Sequence, residues 1–358
     1  MLGFIKRHLL NARKKYEIRR EYKRIVDCHY DVSDYDEKKV FDARKYGFSF
    51  AESKRFNFPK NNYKDYISTW EAYLPRLRAR KTNTNISDDK LLFSLVFGNI
   101  VEVPTVYATI TEGKVCSVGQ YNVDNENIYD FLVQNGGVIK DRSGYNGYNV
   151  FVFDGDGSKL FYKNAEMKKE QFIEILESVK GAILQKKIVQ GSFERGLFGD
   201  SVNTLRIISL KKKDENEHEI IGAVQRIGTK RSAPVDNFSQ GGGSALIDLE
   251  TGELSSFTLL DSFDQNGERI FYDKHPDTGA QIKGIKIPNW EQIKEKIIDI
   301  TRRIPLFDFV AWDIALTDEG IAVIETNMKS TLGVFQVHGG MRNEYLGQKY
   351  KEYGYIKD

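Results

Sequence analysis

Two carboxylates and an amide stand near the end of the chain in the stretch WDIALTDEGIAVIETN, residues 312–327. Asp313 interrupts one apolar run, and Glu325 and Asn327 close the next. Acidic residues are poor strand formers and are rarely buried without a partner. Their place inside two runs of strand type therefore needs a chemical explanation.

The turn between the two runs predicts which side chains meet. A three-residue hairpin loop that ends in a left-handed glycine is common, and TDEG (317–320) places a glycine at that position. Such a loop makes Ile321 the first paired residue of the second strand and puts Asp313 directly opposite Glu325. Because side chains alternate along a strand, Asn327 then points to the same side as Glu325. The opposite face is predicted to be core and consists of Val310, Trp312, Ile314, Ala322, Ile324 and Thr326.

Two opposed carboxylates, with Cβ atoms about 4.5–5.5 Å apart, repel each other unless a cation lies between them. Mg²⁺ prefers oxygen ligands and usually takes one or two carboxylates together with substrate phosphates. The hairpin therefore predicts a magnesium site. A register shifted by one residue would separate the two acids, and a solvated face with incidental acids would need no metal. The hairpin alone leaves these alternatives open.

Two arginines interrupt a second predicted hairpin, whose strands are residues 201–210 and 220–228. In any register that pairs even-numbered residues with each other, Arg206 and Arg226 point to the same face. Two guanidinium groups on one face require an anion, which is either a ligand carboxylate or phosphate, or a structural Asp or Glu. Both readings stay open.

A lysine precedes a glycine-containing loop earlier in the chain. Lys140 ends a predicted strand over 136–140, and the loop DRSGYNGYN (141–149) leads into a strand over 150–153. The backbone N–H groups of such a hairpin tip can fold over phosphates, and a lysine adds a point charge. A lysine beside a glycine loop is, by itself, more often only part of a turn.

The remaining elements are predicted from periodicity and from capping residues. Residues 1–80 are predicted to be rich in helix, and KTNTNISDD (81–89) reads as a polar break whose Asp88 or Asp89 caps the next helix. The further predicted helices are 90–99, 127–135, 164–181 and 288–304, and the further strands are 101–110 and 182–190. The three-glycine loop within 235–254 either lets the backbone approach a ligand or merely turns.

Composition excludes several classes of protein. The 358 residues are 40% apolar and 29% charged with a net charge of +2, which is ordinary for a globular protein and does not indicate nucleic-acid binding. Two cysteines provide no disulfide framework, no signal peptide is evident, and the most apolar run (91–103) is too short to span a bilayer. We therefore expect a cytoplasmic protein.

The first 24 residues hold nine Lys or Arg, and they form either a helix lying on an anionic membrane or a solvated helix packed on the protein.

The order of these pieces resembles the ATP-grasp fold. The motifs that resemble its sugar-transfer-associated branch are VNTLRI (202–207), VDNFSQGGGSALID (235–248), ETGEL (250–254), HPDTG (275–279), IPNW (287–290) and the acidic hairpin. The likeness runs from about Asp88 to Gln336. It implies an α+β fold in which two α/β lobes with antiparallel sheets clasp a nucleotide, preceded by a helix-rich N-terminal extension. The predicted domains are this extension at 1–85, an N-terminal lobe with a phosphate flap at 86–181, and a C-terminal lobe with a metal site at 182–358.

The resemblance also implies roles for residues of this chain. ATP would be bound by a lysine, by the flap and by the segment that joins the lobes. The residues are Lys140, then Ser143, Gly144 and Gly147 of the flap, and Gln185, Lys186 and Ile188 of the joining segment. Many members of the family have Glu where this chain has Gln185. Arg206 and Arg226 match arginines near the transferring phosphoryl group. The Mg²⁺ ligands would be Asp313, Glu325 and Asn327.

Enzymes that this chain resembles usually join a carboxylate to an amine through an acyl phosphate formed from ATP. The resemblance therefore implies a carboxylate–amine ligase, acting on a sugar acid or on another precursor of a cell-surface polysaccharide. One alternative is a catalytically inactive nucleotide-binding partner of a polysaccharide-modifying enzyme. Another is a metal-dependent hydrolase or transferase that uses the acidic pair without ATP. The expected partners are ATP, a carboxylate and an amine or amino acid, without nucleic acid.

Overall fold

The computed structural model describes residues 16–26, 43–144, 149–213, 215, 217–328 and 332–356. Contacts divide the chain into two compact units. The smaller unit comprises the described residues of Met1–Arg78, Asp261–Ile270 and Lys329–Asp358, and the larger one comprises those of Ala79–Leu260 and Phe271–Met328. The predicted division at residues 85 and 181 stays a prediction.

The described residues contain helices, several of which come before the first strand, and strands that pair in antiparallel sheets. The helices are α1 (16–26), α2 (Phe50–Arg55), α3 (Thr69–Arg78), α4 (Lys81–Asp88), α5 (Lys90–Phe97), α6 (Ile128–Asn135), α7 (Lys169–Ser178), α8 (Ser192–Leu197), α9 (Trp290–Arg303), α10 (Gly333–Gln336) and α11 (Tyr345–Glu352). The strands are β1 (Val106–Thr111), β2 (Lys114–Ser117), β3 (Gly137–Asp141), β4 (Val150–Gly155), β5 (Leu160–Tyr162), β6 (Ala165–Met167), β7 (Gly181–Gln185), β8 (Thr204–Lys211), β9 (His218–Ile227), β10 (Gly243–Leu246), β11 (Thr258–Leu259), β12 (Phe309–Thr317) and β13 (Gly320–Asn327). This is the predicted α+β class with antiparallel sheets.

The first sheet of the larger unit has seven strands in the order β2-β1-β7-β3-β4-β5-β6. Helices α6 and α7 supply apolar side chains to the core on one face of this sheet, among them Leu132 and Phe172. Helix α7 begins at Lys169, later than the predicted start at 164, because Ala165–Met167 pairs with β5. Lys163 and Asn164 both have positive φ in the two-residue loop between β5 and β6, which suits a tight hairpin turn.

The second sheet has six strands in the order β11-β10-β9-β8-β12-β13. One face packs on a core that includes Trp312 of β12 and Phe97 of α5, whose rings meet edge to face at 5.8 Å. Helix α9 covers this core with the isoleucines of its apolar side, Ile293, Ile297 and Ile300. The opposite face of the sheet carries the charged residues.

The hairpin of β12 and β13 has the predicted register at its polar end and a different one at its turn. Asp313 lies opposite Glu325, as predicted, but Thr317 pairs with Gly320, so the loop has two residues instead of three. An irregularity between Asp313 and Ile314 absorbs the difference. As a consequence the predicted core residue Ile324 is only half-buried, and Val323 takes the core position.

The predicted polar break at 81–89 was wrong, because residues Lys81–Asp88 form helix α4. Its inward-facing polar side chains are bonded to backbone carbonyls: Asn83 donates to Leu306, and Ser87 donates to Thr326 at 2.9 Å. Buried polar groups with such partners cost little, so a polar helix can pack. Asp89 then caps α5 by accepting from two backbone N–H groups of its first turn.

The smaller unit is built around aromatic side chains. Phe58 has its ring centroid 4.8 Å from that of Phe48 and 5.7 Å from that of Phe56. The described part of the predicted basic helix is α1, and the first 15 residues lie outside the described residues. In the part of the chain that is described, no helix has the length and apolar character needed to cross a membrane.

Candidate functional site

A row of three charged residues crosses the polar face of the six-stranded sheet. Arg206 of β8 pairs in register with Asp313 of β12, which in turn pairs with Glu325 of β13. Because residues that are paired in register point to the same side, the three side chains lie next to one another. Strand pairing alone therefore brings an arginine and two acids together.

Asp313 is the centre of this row. Arg206 binds it with two nitrogens, Nε to Oδ1 and Nη2 to Oδ2, the latter at 2.7 Å. Arg226 Nη1 approaches the same Oδ2 at 3.4 Å, and Asn327 Nδ2 donates to it at 3.3 Å. Burial raises the pKa of Asp313, while the two guanidinium groups oppose that rise.

The two arginines share a face, as the sequence predicted for an even register. Thr204 of β8 pairs with Arg226 of β9, two residues from Arg206. Arg226 Nη2 binds Asp236 Oδ1 at 2.6 Å, and Thr204 donates to the other oxygen of Asp236. Of the two readings left open by the sequence, the structure shows pairing with structural acids, through Asp313 and Asp236.

Glu325 is the more open of the two acids on the hairpin. Its side chain is 30% exposed, against 5% for Asp313, so it is the carboxylate that a ligand can reach. Asn327 Nδ2 donates to its Oε1 at 3.0 Å, and Lys90 Nζ lies 3.8 Å from its Oε2. Burial would raise the pKa of Glu325, but Lys90 and Lys140 outweigh it and lower the pKa to about 2. Glu325 is therefore ionised at any neutral pH.

Lys140 faces this site from the seven-stranded sheet. It lies on β3 opposite Ile183 of β7, on the same face as Gln185 and away from the core beneath α6 and α7. Burial and the nearby charge of Lys90 lower the pKa of Lys140 to about 8, against the attraction of Glu325 and Asp313. The two sheets thus bring lysines and acids within electrostatic range of each other.

Lys90 is the residue of this site that sequence reasoning missed. It is buried at the first position of α5, where its Nζ donates to the carbonyl of Gly144 at 2.8 Å. The available signal was the run DDK (88–90), in which a lysine directly follows a helix-capping acid. That signal does not show that the side chain reaches the hairpin acids.

The other predicted nucleotide residues occupy two places. At the predicted flap, Ser143 is exposed, Gly144 precedes the undescribed segment, and Gly147 lies outside the described residues. At the end of β7, Gln185 is buried, Lys186 is exposed and Ile188 is half-buried. The backbone N–H of Lys186 donates to Thr105 at 2.8 Å, which fixes this segment next to β1.

A family model described as sugar-transfer associated ATP-grasp matches residues 69–346. The chain belongs to this family. The match includes both sheets of the larger unit together with α3, and it covers the charged row and both lysines. The fold of the chain is therefore the ATP-grasp fold, as the motifs predicted.

Solved ATP-grasp structures resemble this chain at low identity. The ligase PsnB complexed with a minimal precursor is 11% identical, over 76% of this chain and 61% of that one, with a TM-score of 0.38. The D-alanine–D-alanine ligase from Bacillus anthracis is 12% identical, over 77% and 72%, with a TM-score of 0.37. The chain spans about three fifths of the length of PsnB in that structure. No curated protein sequence matches it.

The three-glycine loop of this ATP-grasp chain is explained by internal packing. A Cβ on Gly242 would lie 2.3 Å from the carbonyl oxygen of Asp236, and one on Gly243 would lie 2.2 Å from the ring of Phe257. Gly241 has a φ of +107°, which favours glycine. Of the two alternatives for this loop, the structure supports the turn.

The polar row suits a hard divalent cation in its donor types. Asp313 and Glu325 offer carboxylate oxygens and Asn327 an amide oxygen, which is the chemistry that Mg²⁺ prefers. Within the described ranges, no three His, Cys, Asp or Glu side chains gather as a metal site. A cation held here would therefore draw its other ligands from water or from nucleotide phosphates. Glu325 is accessible for this purpose, whereas Arg206 covers both oxygens of Asp313 and Asn327 turns its Nδ2, not its oxygen, toward the two acids.

Proposed function

We propose that the chain is an ATP- and Mg²⁺-dependent ligase that joins a carboxylate to an amine through an acyl phosphate. The observation that supports this best is that Lys140 of the seven-stranded sheet and Lys90 of α5 converge with the arginines and acids of the six-stranded sheet. Lys90 and Lys140 stand beside Glu325, and Arg206 and Arg226 stand beside Asp313. Four cations around these two acids suit a polyanion such as triphosphate.

In the proposed reaction a carboxylate oxygen attacks the γ-phosphorus of ATP, the bond to the β-phosphate oxygen breaks, and ADP leaves. The amine nitrogen then attacks the acyl carbon, inorganic phosphate leaves, and the amine gives up a proton. The protein acts mainly by alignment and by compensation of charge. Lys90 and Lys140 would bind phosphate oxygens, with Ser143, Gly144 and Gly147 at the flap.

The remaining roles follow the same division between the sheets. Arg206 and Arg226 would bind the transferring phosphoryl group, while Gln185, Lys186 and Ile188 would border the base. Asp313, Glu325 and Asn327 would hold Mg²⁺, which when bound neutralises charge on the triphosphate. The carboxylate is proposed to belong to a sugar acid or to another precursor of a cell-surface polysaccharide, on the strength of the family description.

A cytoplasmic location is part of this proposal, together with contact of the basic N-terminal segment with an anionic membrane. Low cysteine content supports the first, and the cluster of Lys and Arg before residue 25 supports the second. Vesicles with and without anionic lipid would test the membrane contact by co-sedimentation of the full chain.

One observation favours the alternative of an inactive nucleotide-binding partner. Arg206 and Arg226 already occupy the oxygens of Asp313, so this acid is less available than a free metal ligand. A screen that pairs sugar acids with amines and amino acids, read by release of ADP, separates the two functions. Acceptor-dependent ADP release supports the ligase. Binding of a Mg²⁺–ATP analogue without turnover on any pair supports the inactive partner.

A further inference from the structure

Helix α5 belongs to one sheet by its packing and reaches the other sheet with its first residues. Phe93 and Phe97 lie in the core beneath the six-stranded sheet. Asp89 and Lys90, at the start of the same helix, contact residues that follow β3 of the seven-stranded sheet. The beginning of α5 is therefore a point where the two sheets are joined.

An ion pair between Asp89 of the helix cap and Arg142, with several hydrogen bonds, joins α5 to the seven-stranded sheet. Arg142 Nε lies 2.9 and 2.8 Å from the two carboxylate oxygens of Asp89, and Arg142 Nη2 lies 2.6 Å from Oδ2. Asp89 Oδ1 also accepts from the backbone N–H groups of Leu91 and Leu92, which caps the helix. Hydrogen bonding to Arg142 and to the helix N-terminus lowers the pKa of Asp89, although burial opposes this. Such bidentate pairs fix geometry as well as charge.

Arg142 is itself fixed in the seven-stranded sheet. Its backbone N–H donates to the carbonyl of Gly181 in β7 at 3.1 Å, and its own carbonyl accepts from the backbone N–H of Lys90 at 3.0 Å. Lys90 is held a second time, because its Nζ donates to Gly144 at 2.8 Å. The backbone and the side chain of Arg142 thus both connect to the residues at the start of α5.

We propose that Arg142 is a positioning residue for binding of nucleotide phosphates, acting through Asp89 to hold Lys90 beside Lys140 and Glu325. This inference rests on the proposed nucleotide-binding function. Arg142 belongs to the sheet of Lys140, whereas α5 packs beneath the sheet of Glu325. The two lysines repel each other, so contacts that tie α5 to the seven-stranded sheet help to keep them side by side. The Asp89–Arg142 pair is placed to supply that tie.

The test compares Arg142→Gln and Asp89→Asn in the wild-type chain and in a Lys90→Gln background. Asparagine still caps a helix, so Asp89→Asn removes the ion pair while keeping α5. For both variants we expect the Kd of a non-hydrolysable ATP analogue with Mg²⁺ to rise about tenfold in the wild-type background, because a displaced lysine no longer meets the phosphates. Adenosine, which has no phosphate, should bind as before.

The Lys90→Gln background separates positioning from general structural damage. If Arg142 acts through Lys90, then Arg142→Gln adds less than about twofold once Lys90 is gone. A matched control is Lys159→Gln, which breaks an exposed ion pair with Glu166 in the same sheet and should leave both ligands unaffected. Thermal unfolding of each variant verifies that the fold is kept.

Three results would overturn the positioning role alone. The first is unchanged analogue affinity in Arg142→Gln. The second is an equal loss of analogue affinity with and without Lys90, and the third is an equal loss of affinity for adenosine. Failure of the wild-type chain to bind the analogue would instead overturn the proposed function, and the positioning role with it.

Discussion

The two sheets of the larger unit present their polar groups in different ways. On the six-stranded sheet, Arg206, Asp313 and Glu325 stand in register on neighbouring strands and compensate one another. On the seven-stranded sheet, Lys140 stands on β3 and is attracted by Glu325 and Asp313 of the other sheet. The first arrangement is fixed by strand pairing within one sheet. The second depends on how the two sheets are held together.

This difference separates two kinds of sensitivity. A change in the charged row should disturb both the site and the stability of its sheet, because the row contains buried ion pairs. A change at Lys90 or Lys140, which together form the lysine side of the site, should affect ligand binding with little effect on folding. Variants of the two sheets can therefore be sorted by whether unfolding and binding change together.

The largest effect is expected for Asp313→Asn. This change leaves Arg206 and Arg226 facing each other without the carboxylate between them, so we expect the free energy of unfolding to fall by about 3 kcal/mol. ADP release should fall by about a thousandfold or more, because the charge that orders the site is lost. Urea unfolding and the ADP assay measure the two effects.

The matched comparison is Glu325→Gln on the neighbouring strand. Its side chain is more exposed, and Lys90 and Lys140 lower its pKa, so removing its charge should lower the free energy of unfolding by about 1 kcal/mol after solvent screening, less than for Asp313→Asn, while activity is still lost. A rise in stability for Asp313→Asn would show that repulsion between the two acids, and not pairing with arginine, dominates the row.

A buried histidine tests the stability of the six-stranded sheet without touching the site. His218 Nε2 donates to Phe307 at 2.9 Å, and Nδ1 accepts from Ser209, whose hydroxyl accepts from Trp312. Burial lowers the pKa of His218 to about 4, whereas an unfolded histidine titrates near 6.5. The unfolded state therefore binds more protons between these values, and stability is lost as pH falls from about 6.5 to 4, by at most about 3 kcal/mol.

Urea unfolding at pH 7, 5.5 and 4 measures this loss, with His218→Gln as the comparison. The variant should be less stable at pH 7 but should show a flatter dependence on pH. An equally steep dependence in both chains would assign the acid sensitivity to other groups.

Much of the charged row could be predicted from the sequence, because strand alternation determines it. The alternation of side chains along a strand and the position of the turn predicted that Asp313 lies opposite Glu325, and this pairing is observed. The turn itself was predicted with one residue too many. Its Asp318 accepts from the backbone N–H of Ser192 at 2.7 Å, a contact with α8 that no local pattern reveals. The irregularity after Asp313 corrects the count, so the error ran from the turn to Ile324 and did not reach the pairing of the two acids.

The lysine side could be predicted only in part, because distant segments form it. Lys140 was found from its position before a glycine loop, but Lys90 was missed because its partners are Gly144 and Glu325. Helix α4 was missed for a related reason. Its polar side chains Asn83 and Ser87 are satisfied by backbone carbonyls far along the chain. Sequence patterns report amphipathic faces well and long-range hydrogen bonds poorly.

On the lysine side we expect binding to depend on pH. With a pKa of about 8, Lys140 is charged below that pH and loses its proton above it. The affinity for an ATP analogue with Mg²⁺ should therefore be constant from pH 7 to about 8 and then fall by up to about tenfold per pH unit. Calorimetry in buffers of different ionisation enthalpy should show proton uptake at pH 8.5. Lys140→Arg, which stays charged, should bind without this dependence, and a wild-type affinity that is flat to pH 9.5 would contradict the assignment.

The smallest effect is expected for Gly144→Ala, which acts on Lys90 from the side of the loop. A Cβ at this position would lie 2.5 Å from the Cβ of Asp141, so the backbone must shift, and with it the carbonyl that accepts from Lys90 Nζ. We expect the Kd of the ATP analogue to rise about threefold, with no change in the unfolding midpoint, because the loop adds little to the core. Gly181→Ala is the matched control, since an added Cβ there meets no atom within 4 Å. Equal affinities for the two alanine variants would mean that the Gly144 carbonyl does not help to place Lys90, and the connection of α5 to the seven-stranded sheet would then rest on the bonds that Asp89 and the backbone of Lys90 make with Arg142.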